Sequence, residues 1–291
     1  MTWVVKYLFS SMFWRGGVAI VVFVVFWEIG ARSKEWIGAD IFVPLRALIE
    51  LGGFRTTYLP WIGAVPPLSD VLVVWVGLLD DVSYWQSWYM SFVRVTTGFI
   101  AAMIVGIPFG LLLAVSRTAY GIAFPVFEVL RPIPPLAWVP ASIIFWPTQE
   151  MSIAFVTFLG AVYTIVINVI GGAKSIDIRY FQAAQSMGSS QWDIFRRIIL
   201  PGTLPSIAVG SAVSMGITWE VVVAAEMISG GGSQTGSTHG GGLGFLIWNS
   251  FIGAGYEQIV IGMISIGIAG YMSSALLRSL GMLVTPWQRL R

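Results

Sequence analysis

A chain of 291 residues in which 56% are apolar and only 10% charged, with a mean hydropathy of +0.81, has too few polar side chains to cover a water-soluble domain, which would carry roughly 25% charged residues. The absence of cysteine excludes disulfides, iron–sulfur clusters and thiol chemistry, and the single histidine, His239, leaves none of the multi-histidine constellations that hold zinc, copper or haem. With 16 Lys and Arg against 14 Asp and Glu, the basic residues mark membrane edges and not a nucleic-acid footprint.

A spanning helix needs about 20 predominantly apolar residues. The first stretch that qualifies runs from Gly16 to Ala31, behind Lys6 and Arg15, interrupted only by Glu28. No small-x-small cleavage site precedes Arg32, so it reads as a retained anchor and not a signal peptide. The segment Arg32 to Met90 follows, with more acidic than basic residues, as suits the outer face. Within it Pro66-Pro67-Leu68-Ser69-Asp70 and then Val71 to Leu79 predict a capped, partly amphipathic helix along the outer interface. Val95 to Ser116 is the next span, and its small residues Gly98, Ala102, Gly106 and Gly110 recur every fourth position, serving close packing within the subunit or against another. Pro132 to Gln149 is uncharged but holds Pro132, Pro134, Pro135, Pro140 and Pro147, which predicts a short or broken helix. Met151 to Ala173, Ser206 to Trp219 continued past Glu220, and Ile259 to Leu277 complete the set, with a glycine-rich outer loop, Ser229 to Gly244, in which no stiffness is expected.

The expected class is an all-α membrane protein with six transmembrane helices. Lys174, Arg179, Arg196 and Arg197 outweigh Asp177 and Asp193 in one loop, and Lys6, Arg15, Arg289 and Arg291 lie near the ends, which puts both termini in the cytoplasm. The chain divides into an anchor helix with an extended outer loop, residues 1–65, and a core, residues 66–291, whose cytoplasmic loop is 174–204.

That loop contains Gln182-Ala183-Ala184, three residues, Gly188, nine residues, then Ile198-Ile199-Leu200-Pro201. It predicts two short helices meeting at Gly188, where the chain bends most easily without a β-carbon, with Asp193 and Arg196-Arg197 flanking the second. Pro201 and Pro205 are expected to stop that helix before the next span. The spacing strongly resembles the EAA loop of permease subunits of ATP-binding cassette importers: Ala183, Ala184, Gly188, Ile198, Leu200 and Pro201 match in register, and Gln182 replaces the glutamate. The runs Arg131 to Pro140, Trp219 to Met227, Gly242-Leu243-Gly244-Phe245 and Leu283 to Trp287 narrow the resemblance to the nitrate, taurine, aliphatic sulfonate and bicarbonate permeases. It covers the chain from about Pro66 onward. Residues 32–65 and the glycine loop before Gly242 are longer than the family pattern.

The resemblance implies a type I importer permease fold, MetI-like, with cytoplasmic coupling helices. It implies two ATPase subunits, a second permease, either an identical copy in a homodimer or a related permease, and a periplasmic or lipid-anchored substrate-binding protein, in the inner membrane and its lipid, with no nucleic acid. It also implies that the chain is no enzyme and binds no cofactor: ATP and Mg belong to the partner ATPase. The nearest approach to a phosphate loop here, Gly171-Gly172-Ala173-Lys174-Ser175, lacks the required glycine spacing. The coupling residues would be Gln182, Ala183, Ala184, Gly188, Asp193, Ile198, Leu200 and Pro201. The substrate would be a small oxygen-rich anion, taurine or another sulfonate, or nitrate or bicarbonate. A secondary carrier without an ATPase and a membrane scaffold are the alternatives.

Ionisable groups inside apolar spans are costly and mark candidate sites. Glu220 and Glu226, six residues apart, fall on faces about 120° from each other and do not form one site. Glu226 reads either as a gate or docking element or as a helix-end acceptor. Glu220 reads as a buried partner of Arg131 or Lys174, or as a path residue. Glu128 and Arg131 share a helix face and suit a local ion pair, and Arg131 could alternatively attract an anion at the head of the proline-broken segment. Trp138 and Trp219 serve as packing or interfacial anchors, or line the path. His239 is expected to be solvated, without a metal role.

Overall fold

The computed structural model describes residues 11–37, 65–229 and 241–287, with side chains for all of these except 11–13, 33–37 and 229. Lys6, His239, Arg289, Arg291 and most of the long segment after Arg32 lie outside the described residues. Among the described residues every element is helical. The chain forms two compact units, one of residues up to Asp81 with Ser250–Ile261, the other of Val82–Asn249 with Gly262–Arg291.

In the first unit, α1 (Ser11–Ile37) carries the apolar stretch Trp14–Arg32. Val18, Val21, Phe23 and Phe26 are exposed around it, as befits a helix whose solvent is lipid. Helix α2 (Leu68–Leu79) starts after Pro67, which has no side-chain oxygen to cap it. The expected local cap is therefore absent, and α1 supplies one instead. The Glu28 carboxylate accepts from the Ser69 backbone N–H at 3.2 Å, from the Ser69 hydroxyl at 2.8 Å and from Arg32 Nε at 2.7 Å. Trp27 Nε1 donates to the Pro66 carbonyl at 3.1 Å. A carboxylate at the N-terminus of α2 meets both its orphan donors and the positive end of its dipole. The acid that interrupts the first apolar stretch thus caps the next helix.

The second unit holds α3 (Val82–Val115), α4 (Arg117–Leu130), a 3₁₀ turn (Pro135–Trp138), α5 (Val139–Phe145), α6 (Gln149–Lys174), α7 (Ile178–Ser186), α8 (Gln191–Ile194), a π-turn (Phe195–Ile199) and α9 (Leu200–Ser229). Most of α10 (Leu243–Ile252) and α11 (Tyr256–Val284) belongs to it as well. Helix α6 packs chiefly on α3 and α9. The core between them is built from Val95, Phe99 and Ala102, from Val156, Ile165, Val166 and Val169, and from Val221, Val222 and Ala225. Lipid offers helices no hydrophobic drive to associate, so close van der Waals fit and hydrogen bonds between helices hold the unit. Tyr84 and Ser265 hydroxyls meet at 2.7 Å, and Trp219 Nε1 donates to Ser273 Oγ at 3.0 Å, tying α3 and α9 to α11.

The small-residue stripe of α3 serves packing within the subunit. A β-carbon on Gly98 would strike the Thr157 side chain, and one on Gly110 would come within 2.9 Å of Val169 and 3.2 Å of the Val166 carbonyl. Backbone on the opposing helix cannot yield as a flexible side chain can. Gly110→Ile should therefore lower the thermal stability of the detergent-solubilised protein by about 1–3 kcal/mol. Gly121→Ala, where nothing lies within 4 Å, should leave it unchanged in the same melt. Equal melting of the two variants would contradict this packing.

Five apolar helical stretches are long enough to cross a membrane, Trp14–Arg32, Val82–Val115, Gln149–Lys174, Gln191–Ile228 and Tyr256–Val284. The candidate for a sixth is a bent pair, Arg117–Leu130 with Pro135–Phe145, whose arms diverge by 87°. This corrects the reading of Pro132 to Gln149 as a crossing by itself. Charges at Arg117 and Arg131 bracket α4 and hide its apolar content, and its 14 residues are too few to span alone. The prolines at 132, 134 and 135 remove amide donors, which places the bend there.

Pro201 and Pro205 do not stop the helix before the span either. The backbone is helical from Gln191 to Ser229, with Pro205 inside α9. Just ahead of Pro201 the helix widens, and the Leu200 N–H reaches the Phe195 carbonyl. A wider turn gives the pyrrolidine ring room where a regular turn would clash.

Candidate functional site: a polar hairpin and a buried ion cluster joined by one helix

The hairpin precedes α9. Asp177 caps α7, its carboxylate accepting from the Arg179 N–H at 2.9 Å and from Arg179 Nε at 2.8 Å. These bonds from Arg179 hold the Asp177 carboxyl below the usual aspartate range, so the cap stays ionised at neutral pH. Helix α7 ends in a Schellman motif. The Gly188 N–H donates to the Gln185 carbonyl at 2.9 Å and the Ser189 N–H to the Ala184 carbonyl at 3.0 Å, and Gly188 has φ of +76°. That left-handed backbone is the reason a glycine stands there. Ser190 then caps α8, accepting from the Asp193 N–H at 3.1 Å while its hydroxyl donates to the Asp193 carboxylate at 2.6 Å.

Of the sequence-predicted coupling residues, Gln182, Ala183 and Gly188 are exposed, Ala184 is buried, and Asp193, Ile198, Leu200 and Pro201 are partly buried. Ile194 is buried beneath the second helix, and Tyr180, Met187 and Trp192 are more than half exposed. A short polar hairpin that turns large apolar side chains outward has the character of a docking element.

At the other end of α9, Glu226 is fully buried, at 0% exposure, and faces Arg94 of α3, at 2%. Arg94 Nη1 donates to Glu226 at 3.0 Å and to the Gly241 carbonyl at 3.0 Å, while Nε and Nη2 form a fork with Glu150 at the start of α6, at 2.8 and 2.5 Å. Glu226 accepts further bonds from the Ser91 hydroxyl at 2.8 Å and from the Gly244 N–H at 2.9 Å. Ser91 Oγ in turn accepts from the Leu243 N–H at 2.8 Å. A buried charge is tolerable only when paired and bonded in this way. The end of the glycine loop is consequently fixed: Gly241 to Gly244 are buried, and Gly242, with φ of +86°, lies so close to Glu226 that a β-carbon would collide with the carboxylate. This corrects the expectation that nothing between Ser229 and Gly244 is stiff; residues 230–240 lie outside the described residues.

Sequence reasoning missed Arg94, Ser91 and Glu150. The charge-free window begins at Val95, so Arg94 read as the border of a span, whereas α3 begins at Val82. The signal was present in the recurrence of Tyr84, Ser87, Ser91, Arg94, Gly98 and Ala102 at intervals of three or four residues, all of them buried.

Glu220 is exposed on α9 and makes no ion pair or hydrogen bond among the described residues. Its expected partners are engaged elsewhere: Arg131 pairs with Glu128 at 3.1 Å, and Lys174 lies over the Tyr120 ring, 4.2 Å from its centroid. A site of buried Glu220 with either is thereby overturned. Arg131 is exposed at the bend after α4. Trp219 is packed in the core, whereas Trp138 is partly buried and lines a recess with Ser142, Phe145 and Phe155. The five predicted path residues thus do not converge on one point.

A helical, multi-pass chain whose polar hairpin leads directly into a spanning helix has the form of a membrane-embedded subunit with a docking element. The chain belongs to the family of binding-protein-dependent transport system inner membrane components, which matches residues 106–290. It is 32% identical over 281 residues to the nitrate import permease protein NrtB of Synechocystis sp., covering 97% of this chain and 92% of that one. To the taurine transport system permease protein TauC of Escherichia coli it is 32% identical over 207 residues, 71% of this chain and 72% of that one. Its fold is similar to a chain of a bacterial ABC transporter involved in the import of the acidic polysaccharide alginate, with a TM-score of 0.54 at 14% identity, covering 87% of this chain and 98% of that one. The chain is a permease subunit of an ATP-binding cassette importer, a multi-pass inner-membrane protein that works with a separate ATPase and a substrate-binding protein.

Proposed function

We propose that the chain imports a small oxyanion of the nitrate, bicarbonate or sulfonate class, as one of two identical permease copies served by two ATPases. The observation that carries the substrate class is the likeness to a nitrate permease across 97% of the chain. ATP and Mg are bound by the partner ATPase. The hairpin of α7 and α8 docks on that partner, with Gln182, Ala183 and Met187 at the contact, Gly188 setting the angle between its helices, and Asp193, Ile198, Leu200 and Pro201 joining it to α9. Both termini face the cytoplasm, in keeping with Lys174, Arg179, Arg196 and Arg197 around the hairpin.

The second copy meets the exposed α9 face formed by Val209, Val213, Gly216 and Glu220, and Arg131, Trp138 and Glu220 border the path. Trp219 and Glu226 act from within the subunit by fixing α9. Reconstitution with the ATPase and binding protein in liposomes, followed by uptake of labelled nitrate, bicarbonate and taurine, tests this reading. It predicts uptake of at least one of these anions that requires ATP inside the reconstituted cytoplasmic compartment. Gradient-driven uptake by the chain alone would replace it with a carrier, and absence of any uptake by a complete complex with a scaffold.

A further inference from the structure

A recess of about 320 Å³ lies between the bend after α4 and the middle of α6. This is at the small end of the ~300–1,000 Å³ range of ligand clefts. Arg131 stands at one side, and Tyr163, Thr164 and Asn168 project from successive turns of α6, with Gly160 and Ile217 among the apolar wall. Its polar groups can all act as donors. One Arg131 N–H is engaged by Glu128 at 3.1 Å, leaving others of the five that a guanidinium carries. One Asn168 N–H goes to the Thr164 carbonyl at 2.8 Å, leaving the second. The Tyr163 and Thr164 hydroxyls make no hydrogen bond among the described residues. Asn168 is held in place from behind, because its Cβ lies within 2.5 Å of where a β-carbon on Gly210 of α9 would sit. No carboxylate lines the recess.

We infer that this recess is a transient site for a small oxyanion, contacted by Arg131, Tyr163, Thr164 and Asn168, in which Glu128 competes for Arg131 and keeps occupancy brief. The inference rests on the oxyanion reading above and deepens it. Arg131, Asn168 and the two hydroxyls can each direct an N–H or O–H at the oxygens of a small anion here. Glu128 and Arg131 are each about half exposed, at 48% and 47%, so their pair is weak and an arriving anion can exchange with the glutamate. A transporter gains from such exchange, because an anion bound tightly in the membrane would not leave.

The test is titration of the purified permease–ATPase complex, without binding protein, with ¹⁵N-nitrate at fixed ionic strength, read by line broadening. Uptake and ATP hydrolysis by the reconstituted importer are measured in parallel. Glu128→Gln should tighten binding by about three- to five-fold, the size of one half-exposed ion pair, and slow maximal uptake. Arg131→Gln and Asn168→Asp should each weaken binding by about ten-fold or more, a carboxylate in the recess repelling the anion. ATP hydrolysis stimulated by the binding protein, retained in each variant, shows that the complex is assembled. Equal titrations for all four proteins, with wild-type uptake intact, would overturn the recess while leaving the import reading standing. Failure of the wild-type importer to take up any oxyanion would overturn both.

Discussion

Arg94→Ala should lower the unfolding free energy of the detergent-solubilised permease by about 3–5 kcal/mol, the range for removing one member of a buried ion pair. The substitution strands the Glu226 carboxylate at 0% exposure, with only the Ser91 hydroxyl and the Gly244 N–H as donors. Glu226→Ala should fall at the lower end of that range, because Arg94 keeps its fork with Glu150. Glu150→Gln should cost no more than about 1 kcal/mol, since that side chain is 55% exposed and solvent replaces much of what it loses. The double replacement Arg94→Met with Glu226→Leu should cost less than the two single losses added together, because residues in one network couple. Unfolding midpoints for the four variants decide the matter. An Arg94→Ala protein as stable as Glu150→Gln would mean that the cluster does not hold the unit together.

Gly188→Val should reduce reconstituted uptake by about ten-fold or more while leaving the melting of the membrane core unchanged. Gly188 has φ of +76° and nothing within 4 Å of where a β-carbon would stand, so the cost is purely one of backbone conformation. A left-handed backbone costs an ordinary residue roughly 1–2 kcal/mol, and a β-branched one stands out even among those. The Schellman motif would open, and the two hairpin helices would lose their fixed angle. Gly188→Asn should retain most of the uptake, because asparagine enters this conformation readily. Equal uptake by the valine variant and the wild type would remove the hairpin from the transport cycle.

These two sites differed in how far the sequence disclosed them. The hairpin is local: the bend at Gly188 follows from a rule of the backbone that can be read within a few residues, and Ser190, which caps α8, stands two residues further on. The ion cluster joins Arg94 to Glu226, 132 positions apart, and no periodicity states which helices meet. The same limit led Glu220 to be given partners that are engaged elsewhere. The spanning helices were legible by hydropathy except where charge misled, as Arg117 and Arg131 did by bracketing α4. Proline also carried less information than expected, because a single widened turn let α9 run through Pro201.

Glu28 and Arg32 have a consequence for synthesis. Ser69 lies 41 residues after Glu28, so at about 5–20 residues per second the cap exists for several seconds before the helix it caps. Until α1 is in place, the Ser69 amide at the start of α2 lacks its carboxylate partner, because the Pro67 carbonyl is taken by the Asp70 and Val71 amides. The beginning of α2 is thus timed by the insertion of α1. A chain deprived of α1 would reach the membrane with an apolar segment whose first turn lacked the Glu28 carboxylate.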